Sequence, residues 1–174
     1  MLDNIPTIDL RYLANDDLEG FKEVAKQLNA DFPKYGFAYL INHGISKDLM
    51  ETIFKEAHRF HSLPLEEKMK IEHNDSYRGY MPNESSHMKV TTEGKNKKPN
   101  IMDSFVMLFD ADPNSYEYQH HLYAHGENQW PAHLQNFKEN VCAYRDAMVD
   151  LSFKLIKSFS VAFDTSAYSD ENDH

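Results

Sequence analysis

The sequence predicts an α+β fold, a helical module interrupted by a few short strands. Three observations lead there. Apolar residues recur at three-and-four spacing in several long stretches; short apolar runs bounded by Gly, Pro and Asn separate them; and those runs are too few to close a barrel.

Ile5 to Leu10 reads as a strand with Pro6 near its start, where a missing N–H matters least. Asn15 or Asp16 is positioned to cap a helix whose buried face is Leu18, Phe21, Val24, Ala25, Leu28 and Phe32, ended by Pro33 and Gly36. The next strand, Gly36 to Asn42, is apolar on both faces, which predicts cover on both sides. His43 and Gly44 form a turn, with His43 expected to brace it through the backbone. Ser46 caps a second helix with Leu49, Ile53, Phe54, Ala57 and Phe60 inward. Pro64 restarts a short helix whose Glu66 and Glu67 favour its positive end. From Asp75 to Asn100 a polar loop is broken only by YRGYMP; Ile101 to Phe109 is the third strand, and a loop follows to Trp130. A long helix is expected from Pro131 to about Phe163, on the order of 45 Å long. The tail SAYSDENDH reads as frayed.

Hydrophobic residues at 41 %, with eleven Phe and ten Tyr, supply a core. A formal net charge of −10 argues against nucleic acid and anionic membranes as partners, and the run from Lys95 to Lys98 is too short to reverse that. No signal-like segment or membrane-length apolar run is visible, and the single cysteine, Cys142, reads as a buried thiol. The expected location is cytoplasmic.

Six stretches, in order, carry a resemblance to a known family: IPTIDL from Ile5, GFAYLINHGI from Gly36, FHSLPLEEKMK from Phe60, YRGYMP from Tyr77, DSFVM from Asp103 and NQWP from Asn128. The chain resembles the N-terminal region of the isopenicillin N synthase-like Fe(II)/2-oxoglutarate-dependent oxygenases, with residues 1–163 as the non-haem dioxygenase N-terminal domain and residues 164–174 as a polar tail leading on. The resemblance implies that the strands join a double-stranded β-helix (jelly roll) largely missing here. In the family that half holds Fe(II) through His-x-Asp and a distant His, leaving positions free for 2-oxoglutarate and oxygen, and an Arg-x-Ser pair holds the cosubstrate's far carboxylate.

His73-Asn74-Asp75 matches His-x-Asp, and His125 lies 50 residues beyond Asp75. The match falls directly after the LPLEEK helix rather than in a β-helix, and Arg145 is followed by Asp146 and Ala147 instead of x-Ser. No metal ligand and no catalytic residue is therefore assigned, and neither cofactor is expected on this chain alone. Arg78 and Tyr80 are the substrate-binding candidates, a guanidinium for a carboxylate and a ring for an apolar body; the opposing reading is that both pack structurally. The implied function is the N-terminal portion of an oxidoreductase that hydroxylates, desaturates or cyclises a small molecule, inactive alone. Its expected partner is the missing catalytic domain, or a second copy through bare strand edges. The alternative is a non-catalytic binding module that pairs with a complete oxygenase.

Overall fold

A computed structural model describes residues 5–85 and 101–163, so the Lys95–Lys98 run, most of the loop before Ile101 and the tail from 164 lie outside the described residues. The described chain divides into two compact units, residues 5–53 with 140–163 and residues 54–85 with 101–139.

In the first unit, strand β1 (Thr7–Asp9) leads through a 3-10 turn at Arg11–Asn15 into helix α1 (Leu18–Tyr35). That turn, with Asp16 left-handed after it, moves the helix start past the expected Asn15 or Asp16. Asp17 is the cap, its carboxylate accepting from the Gly20 N–H at 2.8 Å. Pro33 does not end α1 as expected but sits in its last turn, where one ladder bond is lost; the helix closes when the Gly36 N–H donates to the Phe32 carbonyl. Ile8, Leu10, Leu13, Phe21, Val24, Leu28 and Leu151 form the buried core, with Phe32, Leu40, Leu155 and Phe159 packed against it. At about 1.5–3 kcal/mol for each large side chain fully buried, this cluster dominates the unit's stability.

Strand β2 (Tyr39–Ile41) pairs with β1 in parallel, Ile8 beside Leu40. The expectation of cover on both faces fails. Ala38 and Leu40 pack on the core, whereas Phe37, Tyr39 and Ile41 are 57 %, 61 % and 44 % exposed. Only one face of this two-stranded sheet meets the core. The Gln27 side-chain amide pairs with the backbone of Asp9, accepting from its N–H at 2.8 Å and donating to its carbonyl at 3.2 Å. The expected turn role of His43 is present: Nδ1 accepts from the Ile45 N–H at 3.2 Å.

Helix α2 (Lys47–His61) starts at Ser46, whose hydroxyl accepts from the Leu49 N–H at 3.1 Å. Its buried face differs from the expected one: Phe60 is buried, but Phe54 and Ala57 are exposed, and Glu56 is buried against Arg59 at 2.7 Å. In the second unit, α3 (Leu65–Met69) begins after Pro64. Strands β3 (Gly79–Met81) and β4 (Ser104–Val106) pair antiparallel with Tyr80 opposite Phe105. Strand β4 is shorter than the predicted Ile101–Phe109, whose ends are exposed. The loop after it holds an unpredicted turn of helix, α4 (Tyr116–Gln119), capped by the Ser115 hydroxyl. The core of this unit is aromatic: Phe60 lies 5.9, 5.0 and 5.7 Å from Tyr80, Phe105 and Phe137.

Helix α5 runs from Phe137 to Ala162, 26 residues or about 39 Å, and does not begin at Pro131. Left-handed Asn136, with φ of 61°, interrupts the helical path just before it. Trp130 nonetheless packs on Phe105 and Phe137, at 5.8 and 6.3 Å. Cys142 is half-buried rather than enclosed.

One close approach is testable. A Cβ built on Gly20 would lie 2.1 Å from the Tyr12 carbonyl oxygen, so α1 can lie against the 3-10 turn only with glycine there. Although alanine is the better helix former, Gly20→Ala is expected to destabilise the chain by about 1–3 kcal/mol. Thermal melts of the two proteins check this; an equal or higher midpoint for the variant would show that the turn yields freely.

Candidate functional site

The YRGYMP segment folds back on residues 71–74. The Tyr80 N–H donates to the Ile71 carbonyl at 2.7 Å, and the His73 N–H to the Tyr80 carbonyl at 2.8 Å. Gly79 makes this possible: its φ is 114°, and a Cβ would stand 2.3 Å from the Ile71 carbonyl oxygen. Gln129 clamps the fold-back, its amide donating to the Glu72 and Arg78 carbonyls at 2.8 Å each.

The structure brings Arg78 and Tyr80 onto neighbouring positions of β3 and its approach, and both are enclosed, at 1 % and 2 % exposure. The Arg78 guanidinium donates through Nη1 to the Ser76 and Ala124 carbonyls at 2.6 and 2.9 Å, and through Nη2 to the Phe109 carbonyl at 2.6 Å. Its Nε is buried with no hydrogen-bond partner among the described residues. Arginine suits this place because its planar fork can serve several carbonyls while staying charged.

Tyr80 belongs to a charged cluster. Asp103 Oδ2 accepts from the Tyr80 hydroxyl at 3.1 Å, from Lys68 Nζ at 3.3 Å and from His61 Nδ1 at 3.2 Å. Lys68 is buried and also donates to the His61 carbonyl. Burial pushes the Asp103 carboxyl up, but hydrogen bonds from His61, Lys68 and Tyr80 outweigh it and hold the group below its ordinary value. Burial, then the Asp103 hydrogen bond, pushes the Tyr80 hydroxyl up. Asp103 and Lys68 are the polar residues that sequence reasoning passed over. Their signals were a carboxylate leading an apolar strand and a lysine inside the LEEKMK turn, each ordinary alone.

The possible iron ligands do not assemble. Among the described residues no group of three His, Cys, Asp or Glu side chains is arranged to hold a metal ion. Asp75 and His125 line a pocket of about 400 Å³ with Asn74, Ser76, Tyr118 and His121, and His73 is not in its wall. The described residues therefore do not fit Fe(II) in an open three-ligand site.

The Asp103 cluster generates a stability prediction. Because its folded value is lowered, Asp103 stabilises the fold above the unfolded value of 3.8, and that contribution is lost as pH falls through the folded value. Asp103→Asn should cost about 1–2 kcal/mol at pH 7, toward the low end of a charged hydrogen bond because the side chain is 31 % exposed. Denaturant unfolding across pH should show the two proteins converging in acid. A constant gap down to low pH would mean that the charge of Asp103 is irrelevant.

Known proteins match this geometry and sequence. The family described as non-haem dioxygenase in morphine synthesis N-terminal matches residues 5–133. Azadirone synthase LFS of Melia azedarach is 30 % identical over 92 % of this chain and 46 % of its own length. A homoarginine-6-hydroxylase of Arabidopsis thaliana is 32 % identical over 97 % and 51 %. The full-length Neurospora crassa protein T7H, solved with α-ketoglutarate, superposes with a TM-score of 0.68 at 27 % identity, covering 91 % of this chain and 46 % of that one. A 2OG-Fe(II) oxygenase family protein of Caulobacter crescentus shares the fold, with a TM-score of 0.72 at 23 % identity over 92 % of this chain and 48 % of that one. The chain thus spans about half the length of the curated relatives it matches. A mixed arrangement of helices and short strands, matched through residue 133 and repeated in solved relatives, means that the chain belongs to the isopenicillin N synthase-like 2-oxoglutarate/Fe(II)-dependent oxygenases, as their N-terminal region.

Proposed function

We propose that this chain serves as the N-terminal portion of an Fe(II)/2-oxoglutarate-dependent oxidoreductase acting on a small molecule, and that it binds neither cofactor by itself. The observation that carries this is the share of the match: nearly all of this chain corresponds to about half of each relative. In this reading residues 1–163 are the N-terminal module, and residues 164–174 lead toward a catalytic half whose double-stranded β-helix holds the iron. The bare face of Phe37, Tyr39 and Ile41 is where that half packs. The relatives act, by their names, on unrelated small molecules, so no one substrate is favoured. For Arg78 and Tyr80 the geometry favours bracing the loops over touching substrate, since both are buried and the Arg78 Nη atoms and the Tyr80 hydroxyl are engaged within the chain. No described helix is long and apolar enough to cross a membrane, and the proposed setting is the cytoplasm.

The same bare face favours a second reading, a non-catalytic module docking on a complete oxygenase. Both readings lack an iron site in this chain. Anaerobic calorimetry with Fe(II), with and without 2-oxoglutarate, should give no saturable one-to-one binding. Tight binding strengthened by 2-oxoglutarate and lost in Asp75→Ala would make the chain an enzyme in its own right. The isolated chain should also self-associate with rising concentration, and Tyr39→Lys should reduce this with little change in melting. Sedimentation velocity decides: a monomer at every concentration would remove the argument from the exposed face.

A further inference from the structure

The 3-10 turn at Arg11–Asn15, the turn at 42–45 and residues 147–154 of α5 line a pocket of about 460 Å³ within the first unit. That volume suits a small organic ligand. Its floor is aliphatic: Leu10, Leu13 and Leu151 belong to the core, and Ile45 packs against it. Arg11, His43, Asp150 and Lys154 share the wall.

The charges of that wall reduce to two. Arg11 is already balanced by Asp9, whose carboxylate accepts from its Nε at 2.6 Å. His43 Nδ1 accepts from the Ile45 N–H, so in the neutral ring the proton sits on Nε2, which is a donor. Asp150 and Lys154 remain, four residues apart on one helix with the carboxylate first, the order and spacing in which such a pair ordinarily closes. Here it does not close. Lys154 Nζ turns instead to the Leu13 carbonyl at 3.2 Å, and Asp150 makes no ion pair or hydrogen bond among the described residues. The Leu13 carbonyl also accepts from the Asp16 N–H at 3.2 Å, so the lysine has a structural duty in bracing the 3-10 turn. That duty uses one of its three donors. An ammonium and a carboxylate are thus held apart beside an apolar floor.

We propose that this pocket binds a zwitterionic α-amino acid with an aliphatic side chain, its carboxylate at Lys154, its ammonium at Asp150 and its side chain on the leucine floor. A simple anion would face Asp150 with like charge, and a simple cation would face Lys154. A zwitterion meets each with the opposite charge, and hydrogen bonds between charged partners are the strong ones. The Nε2–H of His43 offers the carboxylate a further donor from the same wall. An uncharged apolar ligand would use the floor alone and leave the separated charges unmatched.

Calorimetric titration of the full chain with L-leucine tests this, beside N-acetyl-L-leucine, which lacks the ammonium, and L-leucinamide, which lacks the carboxylate. Leucine should bind saturably at one site, and each analogue should bind about fivefold more weakly or less tightly still. Asp150→Asn, at an exposed position without a partner among the described residues, should melt like the parent. It should weaken leucine about fivefold, the loss expected for an exposed charge, and leave N-acetyl-L-leucine unaffected. Lys154→Met should weaken leucine about tenfold and erase its advantage over leucinamide. Should loss of the Leu13 contact unfold that variant, the Asp150→Asn result decides alone. No saturable leucine binding, equal affinity for the three ligands, or unchanged affinity in Asp150→Asn would overturn the proposal. Neither iron nor 2-oxoglutarate enters the measurement, so its failure leaves the oxygenase reading standing.

Discussion

One buried guanidinium organises the second compact unit. Arg78 reaches the Ser76, Phe109 and Ala124 carbonyls, drawing together three stretches far apart in sequence. A charge removed from water is costly unless its donors are satisfied, and four of its five donors sit on the two Nη atoms engaged here. Much else depends on this: the fold-back of residues 71–80, the left-handed turn at Tyr77 and the walls of the pocket beside it. Loops need such anchoring because they lack a ladder of their own.

The two units solve the burial problem differently. The first relies mainly on aliphatic side chains from β1, the 3-10 turn, α1 and the later part of α5, with Phe21 among them, and leaves one sheet face bare. The second packs Phe60, Phe105, Trp130 and Phe137 at tilted and edge-on angles, with the Asp103 cluster at its margin. Edge-to-face aromatic packing tolerates short, irregular strands better than an aliphatic layer does, because each ring contributes a large area from a single position. A unit of this kind can support a binding surface made almost wholly of loops.

Helical periodicity was the most legible feature of the sequence. The apolar spacing from Phe21 to Leu28 and the capping role of Ser46 carry straight through to the fold. Boundaries were harder to read, for reasons specific to residues. Asp17 rather than Asn15 or Asp16 caps α1 because a 3-10 turn intervenes, and Asn136 holds off α5 by taking a left-handed conformation. Apolarity on both faces of Gly36–Asn42 suggested double cover, but an apolar face records what a strand can meet, not what the described chain supplies. At the site, Arg78 and Tyr80 were legible as unusual residues. Their burial was not, because it depends on carbonyls and on Asp103, which are distant in sequence. Likewise NQWP was legible as a motif, but not that its Asn128 and Gln129 carry cross-braces to Leu108 and Glu72.

The pairing of Gln27 with Asp9 has a directional effect. In a parallel pair, alternate residues turn their N–H and C=O toward the neighbour or away from it. At Asp9 the outward groups are already occupied by a side-chain amide, which imitates one peptide unit of an additional strand. The β1 margin is thus closed at Asp9, while among the described residues no strand pairs with the far margin of β2. At Asp9 a further strand finds the backbone of β1 already engaged. A single glutamine on a helix thereby makes the two margins of this small sheet unequal.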